Sequence, residues 1–439
     1  MDHTQSIWTQ TAQLPSFDAL QQDAKTDVLI IGGGIAGLLC AYFLQKAGVS
    51  CLLVEAGRIC GGITRDTTAK ITVQHGLIYH KLQREFGVEK AQLYLHANTR
   101  ALEQYRSLCQ TVDCGSQERG SAVYTRSGRR AIEQELEALQ KIGAPARFAA
   151  GLPLPFPTAG AVYFDGQAQF HPLQFLGAIA AGLPICENTR VLELLPGGAV
   201  TQRGIVRAEK IIVATHFPFL NKHGSYFLKL YQHRSYVLAL EKAPTVPGMY
   251  VDASDTGLSF RSFADHLLLG GGGHRTGKKG GAWREPEAFA QENYPHARIT
   301  ARWATQDCMT LDGVPYVGLY SRRTPGLYVA TGFNKWGMTS SMAAAMLLCD
   351  LVQGKDHPWA ELFSPSRTVL RPQLARNAAE STLHLLKPTV PRCPHMGCAL
   401  QYNRQEHSWD CPCHGSRFTE DGTLLDNPAT GDKKSLRGR

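Results

Sequence analysis

Asp27-Val-Leu-Ile-Ile31 runs straight into Gly32-Gly-Gly-Ile-Ala-Gly37 and then into Leu38-Leu-Cys-Ala-Tyr-Phe-Leu44. The order is a buried apolar strand, a glycine turn and a helix. Gly32 permits the tight turn, Gly34 lets the backbone approach a pyrophosphate, and Gly37 allows the helix to pack closely on the strand, with the phosphates facing the helix N-terminus. Ser50-Cys-Leu-Leu-Val54 reads as the next strand and delivers Glu55, whose carboxylate can accept hydrogen bonds from ribose hydroxyls. A glycine motif alone would be weak evidence. Strand, glycines, helix, strand and acid in this order predict a nucleotide-binding α/β domain. Residues 28–44 are apolar and nearly long enough to cross a membrane, but the glycines and the Glu55 strand argue against a span, and nothing else approaches that length.

Working outward, Ala56-Gly-Arg58, Gly61-Gly62-Ile-Thr64-Arg65 and Thr67-Thr-Ala-Lys70 form a polar, glycine-rich stretch able to line a long cofactor. Arg58, Gly62 and Thr64 are the candidates there. Much later, Gly326-Leu-Tyr-Val-Ala-Thr-Gly332 reads as a strand leading through Phe333-Asn-Lys-Trp-Gly337 into a helix over residues 338–348. The positive end of that helix can stabilise an anionic ring, which adds Gly332 and Gly337 to the cofactor candidates. Between these pieces, apolar spacing in residues 83–139 fits helices, residues 162–164 read as a strand, and Pro172 fits the first turn of a helix opened by His171. Residues 207–215 read as a strand returning to the nucleotide domain, and residues 231–241, 248–251, 258–263 and 266–270 as strands separated by turns. The glycine run 270–273 lacks the third glycine of a second nucleotide motif.

Near the C-terminal end, Cys393 and His395 form CxH, and Cys411 and His414 form CxxH. Two loops that each offer one thiolate and one imidazole suit a two-iron cluster with soft sulfur ligands on one iron and neutral imidazoles on the other. Two Cys and two His also satisfy tetrahedral zinc. The interleaving of Cys with His and the HGS turn favour iron.

These residues resemble two known families. The GxGxxG, the acidic strand end in EAGR, the TxDGxPxxG of residues 310–318 and the closing GxxxATGxxxxG are similar to the D-amino-acid-oxidase-like FAD-dependent oxidoreductases, over residues 26–354. CPHMGC and CPCHGSRF resemble the Rieske family, and the fusion of the two is a recognisable bacterial arrangement, of which TTAKITVQHGLIY (residues 67–79) looks like the signature. The implied cofactors are FAD and a [2Fe-2S] cluster, with Cys393 and Cys411 on one iron and His395 and His414 on the other. Cys398 and Cys413 match the pair that forms a disulfide between the loops in the higher-potential branch. The resemblance also implies a serine and a tyrosine hydrogen-bonded to the sulfurs. Ser416 is kept, but Phe418 stands where the phenol would be, so a lowered potential is expected. The implied architecture is α/β: a Rossmann-like FAD-binding domain interrupted by an α+β substrate domain with an antiparallel sheet, plus a small C-terminal all-β Rieske-like module. The expected divisions are an N-terminal arm (1–25), FAD-binding segments (26–82, 151–225 and 301–356), helical and sheet parts of the substrate domain (83–150 and 226–300), a linker (357–384) and a minimal iron–sulfur module (385–439).

In flavin oxidation of a C–N or C–O bond the protein's part is mainly positioning. Lys70 and His75 follow the glycine-rich stretch, Arg261, His274 and Arg275 lie on the expected substrate wall, and Trp336 precedes the second helix. All are candidates to hold or face a small, amine- or amino-acid-like substrate. Cys308 does not sit in register for a flavin-linking cysteine. The expected acceptor is a one-electron protein or a quinone-like molecule. Two alternatives stay open: O₂ as acceptor with a structural iron module, and a redox sensor without turnover. The chain is long enough for two or three domains, and its net charge of +9, from 46 basic and 37 acidic residues, is modest for 439 residues. No basic run or aromatic platform points to nucleic acid. Residues 1–10 lack a basic region followed by an apolar one, so a cytoplasmic location is expected despite the twelve cysteines.

Overall fold

The computed structural model describes residues 5–220, 223–254, 257–368, 370–388 and 391–433. The first four residues of the N-terminal arm, and residues 389–390 and 434–439 of the iron–sulfur module, lie outside them. Two large sheets and one small one organise the chain. The first runs in the order Tyr316–Leu319, Leu327–Thr331, Gly204–Val213, Ala24–Ile31, Cys51–Val54, Ile185–Cys186, with the hairpin Val191–Leu195 and Gly198–Thr201 branching from Gly204–Val213. Its central pairs are parallel, Val28 facing both Cys51 and Lys210. Helices cover such a sheet on both faces, which is why Val28 to Ile31 is a continuous buried run without alternation. The helix Ile35–Lys46 and the helix Gly337–Val352 share one core with this strand, and both are apolar nearly all round because neither shows a wide face to water.

The second sheet has nine strands in the order Arg298–Thr310, Leu230–Glu241, His266–Arg275, Ser259–Phe263, Gly248–Asp252, Gln117–Thr125, Gly160–Gln169, Lys70–Ile71, with Ala146–Ala149 added to Gly160–Gln169. It is antiparallel except where Gly248–Asp252 pairs in parallel with Gln117–Thr125. The strands expected between residues 231 and 270 are present, the first three with closely similar bounds and the fourth running on to Arg275. Gln117–Thr125 falls in the stretch read as helical. Its Ser-Ala-Val-Tyr run is buried on both faces, so it carries no period-two signal. Gly160–Gln169, within a segment expected in the nucleotide domain, pairs in this second sheet. Helices Tyr79–Phe86, Val88–Cys109 and Arg130–Lys141 fill most of the remaining helical stretch. In Pro172–Ala180 His171 is the N-cap, its ring accepting from Gln174 N at 3.3 Å.

The arm is anchored as its apolar residues suggest. Trp8 is fully buried and donates from Nε1 to Thr67 O at 2.6 Å. The helix Pro372–Leu386 leads to the small module, a four-stranded antiparallel sheet of Gln401–Asn403, Ser408–Asp410, Arg417–Thr419 and Leu424–Asp426 around Cys393, Cys398, Leu400, Cys411, Cys413, Phe418 and Ala429. Among the described residues, no helix is long and apolar enough to cross a membrane.

Candidate functional site: a nucleotide cavity abutting two Cys-His loops

The glycine turn has the geometry its sequence implies. Gly32 sits at φ +111°, and a Cβ there would lie 2.7 Å from Ala214 O. A Cβ on Gly37 would be driven into the Gly32 carbonyl oxygen, so only glycine lets the helix start this close to the strand. Glu55 accepts from Gly33 N (2.6 Å) and from Gly57 N (2.8 Å), fixing the turn while facing the cavity. Thr64 Oγ1 accepts from Ile35 N at 3.1 Å, in the first turn of the helix, and a Cβ on Gly34 would meet that oxygen at 3.2 Å.

A cavity of about 790 Å³ opens from this turn. Gly32, Gly34, Glu55, Gly62 and Thr64 line one end, and Lys70, His75, Trp336 and Gly337 lie further along. The cradle of glycines, the Glu55 carboxylate and two helix N-termini on one cavity fit FAD. Three cofactor candidates lie off its lining. Gly37 acts through packing. Gly332, at φ +73°, abuts Thr310. The Arg58 guanidinium turns away to Glu187 (2.9 Å) and Pro15 O (3.1 Å).

Lys70 is buried, and its Nζ donates to Thr68 Oγ1 at 3.0 Å. Burial, reinforced by the charge of Arg261, pulls its ammonium down to about 7. His75 stacks on Trp336 with centroids 5.1 Å apart and planes at 11°. Its Nε2 faces the Thr72 carbonyl at 3.0 Å and must carry the proton, so Nδ1 accepts from Tyr94 OH at 2.6 Å. Burial lowers this imidazole to about 3, keeping it neutral. Thr339 Oγ1, also 2.9 Å from Nε2, ties the ring to the start of the second helix.

Arg261 and His274 do not line the cavity. Arg261 donates to Thr68 O (2.5 Å) and Ala69 O (2.7 Å), bracing the backbone that carries Lys70. His274 stacks behind Tyr236 at 5.7 Å. Arg275 reaches Asn377 Oδ1 (2.9 Å) and Cys413 O (3.4 Å). Two further cavity residues are not among the candidates the sequence singles out. Asn334, at φ +50°, accepts from Thr310 N (2.7 Å) and donates to Gly332 O (2.6 Å), shaping the turn before the helix. Asp307 faces the cavity from the second sheet, and burial, opposed by Lys335 and Arg234, pushes its carboxyl up to about 6.

The two Cys-His loops are matched turns. Gly397 N donates to Cys393 O and Gly415 N to Cys411 O, each at 2.9 Å. Cys393 and Cys411 are buried, and the rings of His395 and His414 approach to 5.0 Å at 84°. His414 Nδ1 is buried without a hydrogen-bond partner, an orphan that a metal would satisfy. The four residues fit the expected cluster. The sulfurs of Cys398, Cys411 and Cys413 lie within 4.8 Å of one another. Ser416 hydrogen-bonds to Cys393 and accepts from Ala429 N at 3.0 Å, while the fully buried Phe418 offers no hydroxyl. Because such a bond favours the reduced cluster, Ser416→Ala should lower and Phe418→Tyr raise the midpoint, each by about 40 mV, the one-electron equivalent of ~1 kcal/mol. An EPR-monitored redox titration measures both.

The module is seated on the second sheet. Glu406 accepts from Arg234 Nε (3.1 Å), Arg417 Nη2 (2.8 Å) and Tyr236 OH (2.7 Å), and Arg417 also pairs with Asp410 (2.9 Å) and Asp426 (3.0 Å). Gln306 Nε2 donates to Gly415 O at 2.9 Å, and a Cβ on Gly415 would run into Gln232. His395 and His414 meet Phe217 edge-on at 6.4 and 6.3 Å, so the imidazole end of the cluster loops faces the nucleotide-binding body.

Two family models match the chain: FAD dependent oxidoreductase over residues 27–351 and Rieske [2Fe-2S] domain over residues 382–437. The chain is 34% identical to the Bacillus subtilis (strain 168) protein YhfW, named for a Rieske 2Fe-2S iron-sulfur centre, over 98% of this chain and 97% of that protein. It is 23% identical to gamma-glutamylputrescine oxidoreductase of Escherichia coli (strain K12), over 87% and 98% respectively. Among solved structures, glycine oxidase from Geobacillus kaustophilus superposes with a TM-score of 0.66 at 21% identity, covering 79% of this chain and all of that one.

Proposed function

This chain belongs to the FAD-dependent oxidoreductase family and carries a Rieske [2Fe-2S] domain, and from that premise we propose that it oxidises a small amine- or amino-acid-like substrate and passes the electrons out through the cluster. When bound, FAD supplies the two-electron oxidation and the cluster a one-electron relay.

One observation carries the reading: cavity and cluster loop share a wall. His216 lines the cavity and hydrogen-bonds with Gln232 at 3.2 Å. Gln232 packs directly beneath Gly415, the residue after His414, and Gln306 holds the Gly415 carbonyl from the neighbouring strand. These residues keep the imidazole side of the loops fixed against the cavity. On the cavity lining, Lys70 Nζ can take or release a proton near neutral pH, His75 keeps Trp336 flat, and Asp307 offers a carboxyl to a cationic substrate. With Arg261 committed to backbone carbonyls, an amine suits this wall better than a substrate held by a guanidinium. The acceptor is a one-electron protein or a quinone-like molecule, the setting cytoplasmic, and Cys398 and Cys413 pair as a disulfide under oxidising conditions.

Anaerobic mixing with a panel of primary and secondary amines and amino acids should bleach the flavin and develop the cluster's EPR signal together. Cys411→Ser should still bleach but give no signal. Stoichiometric peroxide in air, with Cys411→Ser turning over at the wild-type rate, would overturn the relay.

A further inference from the structure

The iron–sulfur module does more than adjoin the cavity. Leu424, Leu425, Asp426, Asn427, Ala429 and Thr430, all from its last strand and the following loop, line the same cavity as Gly32 and Glu55. Three anchors hold this segment. Asn427 Nδ2 donates to Thr215 O (2.6 Å) and Phe217 O (3.0 Å) of the nucleotide-binding body. Asp426 pairs with Arg417 at 3.0 Å within the module and with Arg234 at 3.7 Å across the interface. Ala429 N donates to Ser416 Oγ at 3.0 Å, and Ser416 in turn hydrogen-bonds to the ligand Cys393.

The placement of the first anchor matters most. Thr215 follows Ala214, whose carbonyl oxygen closes on Gly32, and a Cβ on Gly32 would lie 3.3 Å from Thr215 Cα. Asn427 therefore grips the backbone that abuts the phosphate-binding turn. The nucleotide site is incomplete without the module's segment.

We propose that residues 424–430 of the iron–sulfur module are part of the FAD-binding site, so that flavin retention depends on the docked module. The dependence runs both ways: whatever factor the module adds to flavin affinity, bound flavin adds to module docking. The path between the two cofactors' ligands is short, from Cys393 through Ser416 and Ala429 to the cavity wall. This coupling holds whether or not electrons pass from flavin to cluster, so it stands or falls apart from the relay.

Titrating flavin-stripped, cluster-loaded full-length protein with FAD, followed by quenching of flavin fluorescence, tests it. Asn427→Ala should bind FAD about tenfold more weakly, the loss of two neutral hydrogen bonds, while the EPR intensity of the reduced cluster stays at the wild-type value. A Kd within twofold of wild type, with the cluster intact, would overturn the proposal. Should Asn427→Ala shed its cluster, Leu425→Ala takes over. That side chain is half exposed at the cavity rim and outside the module core, and a severalfold rise in Kd supports the proposal where an unchanged one defeats it. In the reciprocal arm, removing FAD from the wild type should speed iron release to a chelator; equal rates with and without FAD would also defeat it.

Discussion

Glu406→Ala is expected to cost about 3–5 kcal/mol and to loosen the iron–sulfur module from the flavin-binding body. Arg234, Arg417 and Glu406 are 4, 7 and 7% exposed, so removing the carboxylate leaves two buried guanidiniums under-compensated. Arg234 keeps only the more distant Asp426, and Tyr236 loses its hydrogen-bond acceptor. Denaturant unfolding followed separately by cluster absorbance and flavin fluorescence should show one transition in the wild type and two in the variant. Acid gives an independent check. Burial alone would raise the Glu406 carboxyl, but Arg234 and Arg417 outweigh it and hold it down at about 2, against an ordinary 4.5. A depressed carboxyl contributes its stability above the unfolded value and loses it as pH falls through the folded one. The docking contribution, about 3 kcal/mol by linkage, should therefore be whole above pH ~4.5 and fade between there and ~2. Glu406→Gln should lack that part of the acid response.

Gly37→Val should abolish FAD binding and cost about 3 kcal/mol or more. The added atoms would occupy the space of the Gly32 carbonyl oxygen, so either the helix Ile35–Lys46 moves off its strand or the turn deforms. Gly151→Ala is the matched control. It lies off the cavity lining, a Cβ there meets no atom within 4 Å, and flavin content should stay near wild type. Flavin-to-protein ratio after purification and the thermal midpoint read out both variants.

The parts legible in the sequence are those whose chemistry is local. Gly32, Gly34, Gly37 and Glu55 lie within one strand-turn-helix-strand unit, and Cys393, His395, Cys411 and His414 within two short loops. Each motif names its own geometry. Lys70, His75 and Trp336 follow such motifs closely enough to reach the cavity with them. Arg58, Arg261 and His274 show the limit. Whether a guanidinium faces a cavity or a carbonyl depends on what packs around it, and Arg261 is taken by Thr68 and Ala69, over 190 positions away. Glu406 and Asn427 were silent for the same reason, since their partners lie about 170 and 210 positions off. The strand Gln117–Thr125 was hidden differently: burial on both faces erases the alternation that marks a strand.

The first sheet draws its strands from three distant stretches, ending with Leu327–Thr331. On the ribosome, a partial sheet of Ala24–Ile31 and Cys51–Val54 must wait for about 150 more residues before its neighbours Ile185–Cys186 and Gly204–Val213 emerge, and Leu327–Thr331 joins the latter only after that. Such far-separated pairings close slowly, which leaves apolar edges open to chaperones during translation. The cavity that fits FAD therefore receives the lining residues Leu424 to Asn427 only after every strand of both large sheets has been translated.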